Sequence, residues 1–184
     1  MRHEQPSFKY ELQSPGSAIA TFRANGEDVE FELTNVSNPL GDLLEGLVTM
    51  ITTPSHMWGE DNVCRIIWYG ESSTYNWTIT HIDDTLCHIK ITESVDFFGD
   101  DTESELIELE FPFHGFIYCI VSELDKFIKK IGLLNYAQKW QKDEFPITQF
   151  LFLKKTLIDN NKWDAPENEN ADNILSSEMM MLLA

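Results

Sequence analysis

The chain has 184 residues, 13 of them Lys or Arg and 31 Asp or Glu, for a formal net charge of −18. Hydrophobic residues make up 42% and aromatics 12%, enough to build a sizeable core, so the composition is not that of a disordered chain despite its charge. No apolar run approaches the roughly 18 residues of a membrane span, and the start, Met1-Arg2-His3-Glu4-Gln5-Pro6, does not read as a secretion signal. So acidic a chain is repelled by phosphate backbones and anionic lipid, so neither nucleic acid nor membrane is an expected partner.

The first 113 residues read mostly as strands. Phe8, Tyr10 and Leu12 alternate with Lys9 and Glu11, the period-2 pattern of a strand with one buried face. A Ser14-Pro15-Gly16-Ser17 turn leads to a second strand, Ala18 to Arg23. Asn25-Gly26 is a hairpin signal, since both residues accept the positive φ of a type I′ turn. Val29, Phe31 and Leu33 then alternate with Glu30 and Glu32, completing a three-stranded meander.

A helix follows, with Asn38 as its cap and Pro39 in its first turn, where the missing N–H costs nothing. Leu40, Leu43, Leu44, Leu47, Val48 and Ile51 form one apolar stripe, and Pro54 lies just beyond. Four more strands are expected. Val63 to Tyr69 is apolar on both faces, the pattern of a central strand. Tyr75, Trp77 and Ile79 alternate with Asn76, Thr78 and Thr80, and Cys87, Ile89 and Ile91 alternate with His88, Lys90 and Thr92. After an acidic loop, Ile107, Leu109, Phe111 and Phe113 alternate with Glu108 and Glu110.

The period then switches. Phe116, Ile117, Ile120, Val121, Leu124, Phe127, Ile128 and Ile131 form a helical stripe, with Lys126, Lys129 and Lys130 near its C-terminal end and Gly132 to close it. Tyr136 to Trp140 adds a short helical turn. Pro146 opens a last helix carrying Ile147, Phe150, Leu151, Leu157 and Ile158. The expected fold is therefore α+β: a single domain over residues 1–163, ordered β-β-β-α-β-β-β-β-α-α. Its mainly antiparallel sheet of six to seven strands has helices packed on one face, since the spacings are too short for helical crossovers. Residues 164–184 read as a flexible acidic tail with an apolar, Met-rich end that docks as a short amphipathic segment or frays.

Cys64, Cys87 and Cys119 are odd in number, widely spaced and set among apolar neighbours, which fits a reducing cytoplasm better than a disulfide framework. His81, Cys87 and His88 flank one turn, but Cys87 alternates with His88, and no paired zinc motif appears. There is no nucleophile elbow and no glycine-rich phosphate loop. No metal, cofactor or catalytic residue is therefore expected.

Charge distribution is the most informative feature. Residues 1–50 carry −5, 51–113 carry −11, 114–163 carry +3 and 164–184 carry −5. Alternation turns Glu30 and Glu32 outward on one strand and Glu108 and Glu110 outward on another, and the acidic loop adds Asp96, Asp100, Asp101, Glu103 and Glu105. If the helices leave one sheet face bare, all these carboxylates share it. Trp58, Phe97 and Phe98 are candidate apolar anchors within that setting. Such crowding costs stability by self-repulsion and becomes intelligible if a basic protein partner neutralises it.

Small, acidic, α+β and without catalytic residues, the chain looks like the immunity proteins that bacteria pair with secreted toxins. That likeness rests on composition and architecture, so it assigns no residue a role. It implies a non-enzymatic, cytoplasmic, protein-binding module that neutralises a basic, nuclease-like toxin domain by charge-complementary binding. Two alternatives share the same carboxylates: a DNA-mimic inhibitor of a nucleic-acid-binding enzyme, and a small metal-dependent enzyme. The net-basic helices also leave homodimerisation against the acidic face open.

Overall fold

Alternating apolar residues give seven strands, each with one face turned to the core. In the computed structural model, residues 6–24, 26–53, 62–97, 100–164 and 173–181 are described. β1 (Ser7–Leu12), β2 (Ser17–Ala24) and β3 (Glu27–Thr34) form an antiparallel meander in that order. Phe8, Tyr10, Ala20, Phe22, Phe31 and Leu33 are buried, while Lys9, Arg23, Glu30 and Glu32 between them are exposed. β4 (Val63–Tyr69), β5 (Ser73–His81), β6 (Leu86–Phe97) and β7 (Asp100–Pro112) form a second antiparallel sheet, again in chain order.

The fold is thus α+β, but with two antiparallel sheets of three and four strands instead of a single sheet of six to seven. The break falls between β3 and β4. Phe31 and Trp68 meet edge to face there with centroids 5.5 Å apart, and Phe31 stands 5.1 Å from Tyr75 and 5.4 Å from Trp77. These rings fill the inner side of the seam, where β3 and β4 form no ladder. What remains is a corner contact, in which the Thr34 hydroxyl donates to the Tyr69 carbonyl at 3.0 Å.

β4 is consequently an edge strand of its sheet, not the central strand its composition suggests. Ile66 and Trp68 face the core, whereas Ile67 and Tyr69 are 46% and 39% exposed. The acidic segment before Ile107 is likewise no loop. β6 and β7 remain paired from Leu86↔Pro112 to Phe97↔Asp100, a ladder that continues through the acidic stretch.

Helices cover the inner faces. α1 (Pro39–Thr52) is capped by Asn38, whose side chain accepts the Gly41 N–H, and it packs on β4. Trp68 ties the two together by donating its indole N–H to the Pro39 carbonyl at 2.9 Å. α2 (Phe113–Ile131) lies against β1 and carries the expected stripe, with Phe116, Ile117, Ile120, Val121, Leu124 and Ile128 buried. α3 (Leu133–Trp140) buries Tyr136 and Trp140. α4 (Ile147–Asp159) buries Phe150, Leu153 and Leu157 against α1 and α2. Leu151 and Ile158 are over half exposed, so the buried stripe of α4 is narrower than its composition suggests.

Asp125 of α2 is 2% exposed and lies between Lys129, at 2.6 Å, and Lys154 of α4. The Lys154 ammonium also sits 4.7 Å over the Trp163 ring. Near the C-terminus, α5 (Ile174–Met181) rests on α2. Its Glu178 carboxylate accepts the N–H groups of Leu133 and Leu134 at 2.6 and 3.1 Å, capping α3 from a distant part of the chain. Gly132 makes this approach possible, since its φ is +77° and a Cβ there would lie 2.6 Å from Glu178 and 2.7 Å from Ile174. Among the described residues no helix is long and apolar enough to cross a membrane.

Candidate binding face

Strand pairing arranges the outer face of the β4–β7 sheet in four rungs. They read Val63–Thr80–His88–Glu110, Arg65–Thr78–Lys90–Glu108, Ile67–Asn76–Thr92–Glu105 and Tyr69–Thr74–Ser94–Glu103. Three columns are mixed, hydroxyl or amide-rich, and the fourth, on β7, is glutamate throughout. Strict alternation would not align these four, because residues 105 and 108 are an odd number apart. A bulge between Ile91 and Thr92 pairs Ile107 with Ile91 and Glu105 with Thr92, skipping Leu106. That extra residue restores the glutamates to one face.

The two bases of residues 51–113, Arg65 and Lys90, fall in the same rung. Lys90 bridges Glu105 at 2.6 Å and Glu108 at 3.4 Å, while His88 contacts Glu108 at 3.0 Å. Glu108 is held below the ordinary carboxylate range by its neighbour Glu105, then by Lys90 and His88. Lys90 is correspondingly held above the usual lysine value, first by Glu105 and then by Glu108. Glu103 accepts the Thr92 hydroxyl at 2.7 Å, and Glu110 lies exposed at the far end of the column. Four exposed carboxylates thus face one lysine, a histidine and, on β4 at the opposite edge of the sheet, an arginine.

Of the carboxylates expected together, Glu103, Glu105, Glu108 and Glu110 share this column. Glu30 and Glu32 do not join them. They stand on the outer face of the β1–β3 sheet opposite Thr21 and Ile19, with β4, β5 and β6 between β3 and β7. The split at the β3–β4 seam makes them a separate group. Trp58 and Phe98 lie outside the described residues, as do the side chains of Asp96, Phe97, Asp100 and Asp101, whose backbones belong to the β6–β7 hairpin. The composition missed Lys90, although a solitary base alternating with apolar residues opposite a glutamate-rich strand was a usable signal.

The remaining candidate groups are separated or inactivated by their surroundings. In the His81 region, Cys87 opposes His81 and shares its face, while His88 opposes Thr80 and points away. The His81 ring packs on Phe113 with centroids 4.3 Å apart. Among the described residues no three His, Cys, Asp or Glu side chains come together as metal ligands. All three cysteines are free thiols. Burial pushes the Cys64 thiol up to about 11 and Cys87 up to about 12, and raises Cys119 further, so none supplies a thiolate near neutrality. A shallow cleft of about 460 Å³ beside α2 is lined by His114, Tyr118, Cys119, Glu123, Lys126 and Lys162, among others. Its acids and bases balance, and the Cys119 thiol there is turned to the Phe116 carbonyl at 3.1 Å.

No protein-family model, curated protein or solved structure matches this chain.

Proposed function

We propose that this chain is a non-enzymatic binding module whose ligand is a basic protein, engaged through the glutamate column of β7 and the hydroxyl-rich face beside it. The observation that carries this reading is the alignment of Glu103, Glu105, Glu108 and Glu110 on one exposed face, achieved through a bulge and left largely uncompensated. Held close together, these charges repel one another, and a cationic surface removes that penalty on docking. A toxin domain with a basic cleft, neutralised by such a protein, is the partner class that best fits the composition and the α+β build.

Spacing weighs against the DNA-mimic alternative. Alternate residues of a strand stand about 6.8 Å apart, whereas each strand of duplex DNA presents one charge per roughly 3.4 Å of axis. A single file of glutamates is about half as dense along its axis as one such strand, and Lys90 and Arg65 interrupt the face.

The experiment is comparative capture from the source cell. Wild-type protein and a folded variant with Glu103, Glu105, Glu108 and Glu110 changed to Lys are used as baits under identical salt. Proteins retained by the wild type and lost by the variant are expected to be basic, and retention is expected to weaken with added salt. Neutral or acidic partners, or equal retention by both baits, overturn the reading.

A further inference from the structure

β7 is both the acidic column and an open sheet edge. This 13-residue strand pairs with β6 alone, and its outward N–H and C=O groups take no backbone partner among the described residues. A strand hydrogen-bonds to one neighbour through alternate residues and turns the others away, so this edge presents a row of unmet donors and acceptors.

The two sides of that row differ. Outward stand the four glutamates, and inward stand Ile107, Leu109 and Phe111, of which Leu109 and Phe111 are only half-buried at the rim of the core. We infer that a partner adds a β-strand to this edge, one that alternates basic residues over the glutamate column with apolar residues over Leu109 and Phe111. This rests on the basic-partner reading and specifies how such a partner would dock. Backbone bonds give such additions their affinity, and alternate side chains give them their specificity.

A second copy of this chain is the wrong occupant. Pairing β7 with itself in the same facing sense sets glutamate against glutamate along the whole column, and like charges directly opposite are destabilising. The column therefore blocks self-association at an edge otherwise prone to it, while admitting a strand of opposite charge.

The test uses the full chain and four capped synthetic peptides. One alternates lysine and valine, one has the same composition with lysines and valines in separate blocks, one is the alternating peptide N-methylated at every second residue, and one copies residues 100–112. We expect the alternating peptide to bind at least about tenfold more tightly than the blocked and N-methylated forms. It should also slow amide exchange along β7 while leaving that of β1 unchanged, and the β7 copy should not bind. Equal binding by the alternating, blocked and N-methylated peptides overturns strand addition while leaving charge-driven binding intact. Binding by the β7 copy as tight as by the alternating peptide overturns the exclusion of a second copy. No binding by either unmethylated basic peptide at low salt overturns both strand addition and the basic-partner reading.

Discussion

Two lysine–carboxylate clusters use the same chemistry to different ends. Between α2 and α4, one carboxylate, Asp125, is enclosed by two lysines and is almost wholly buried. On the β4–β7 sheet, one lysine, Lys90, lies between Glu105 and Glu108, and all three reach solvent. A buried carboxylate must be matched because its desolvation is otherwise unrecovered. Exposed carboxylates can stand in excess because water screens them. Between the helices the buried carboxylate is therefore fully matched by cations, whereas on the sheet exposed carboxylates outnumber the bases beside them.

The largest expected effect tests the buried side of this contrast. Asp125→Ala should lower the unfolding free energy by about 3 kcal/mol, the lower part of the range for breaking a buried pair, because both lysines retain some access to water. Urea denaturation measures it, alongside Glu108→Ala, which should leave the midpoint unchanged within error. Equal losses from the two would erase the distinction. Next in size is the remote cap. Glu178→Ala should cost about 1 kcal/mol and speed amide exchange at Leu133 and Leu134, the two groups its carboxylate accepts.

A smaller effect concerns pH. Burial, then Lys162 and His81, hold His114 below its usual value of 6.5. The unfolded chain therefore binds this proton more readily, and stability falls as pH drops below about 6.5. Thermal melts at pH 7.5 and 5.5 should differ less for His114→Gln than for wild type, and an unchanged difference would exclude His114 as a contributor. The smallest effect on stability is expected at Lys90. Lys90→Met should scarcely move the melting temperature, yet it deepens the negative potential of β7, so the association rate with a lysine-rich peptide should rise at low salt and converge with wild type at high salt.

Much of the architecture was legible because it depends on local chemistry. Alternation around Phe8–Tyr10 and Phe31–Leu33 placed β1 and β3, Asn38-Pro39 placed the start of α1, and the change of period after β7 placed α2. Glu103, Glu105, Glu108 and Glu110 were legible as a concentration of charge. Their alignment was not, since it depends on the extra residue at Leu106, and a bulge is set by the partner strand. Lys90 was passed over because its role arises from residues 15 to 18 positions away. Glu178 was equally hidden, because the α3 amides it caps lie 44 and 45 positions earlier.

By itself, the sequence determined most of the elements, the α+β class and the segregation of acid from base along the chain. These follow from side-chain periodicity, capping residues and composition, all of which act over a few neighbouring positions. Tertiary structure alone decided that the strands divide into two sheets at the Phe31–Trp68 seam, that Glu30 and Glu32 are parted from the β7 glutamates, and that β7 is an open edge. Each of those outcomes depends on which surfaces meet in three dimensions, where long-range packing and strand register override the local pattern.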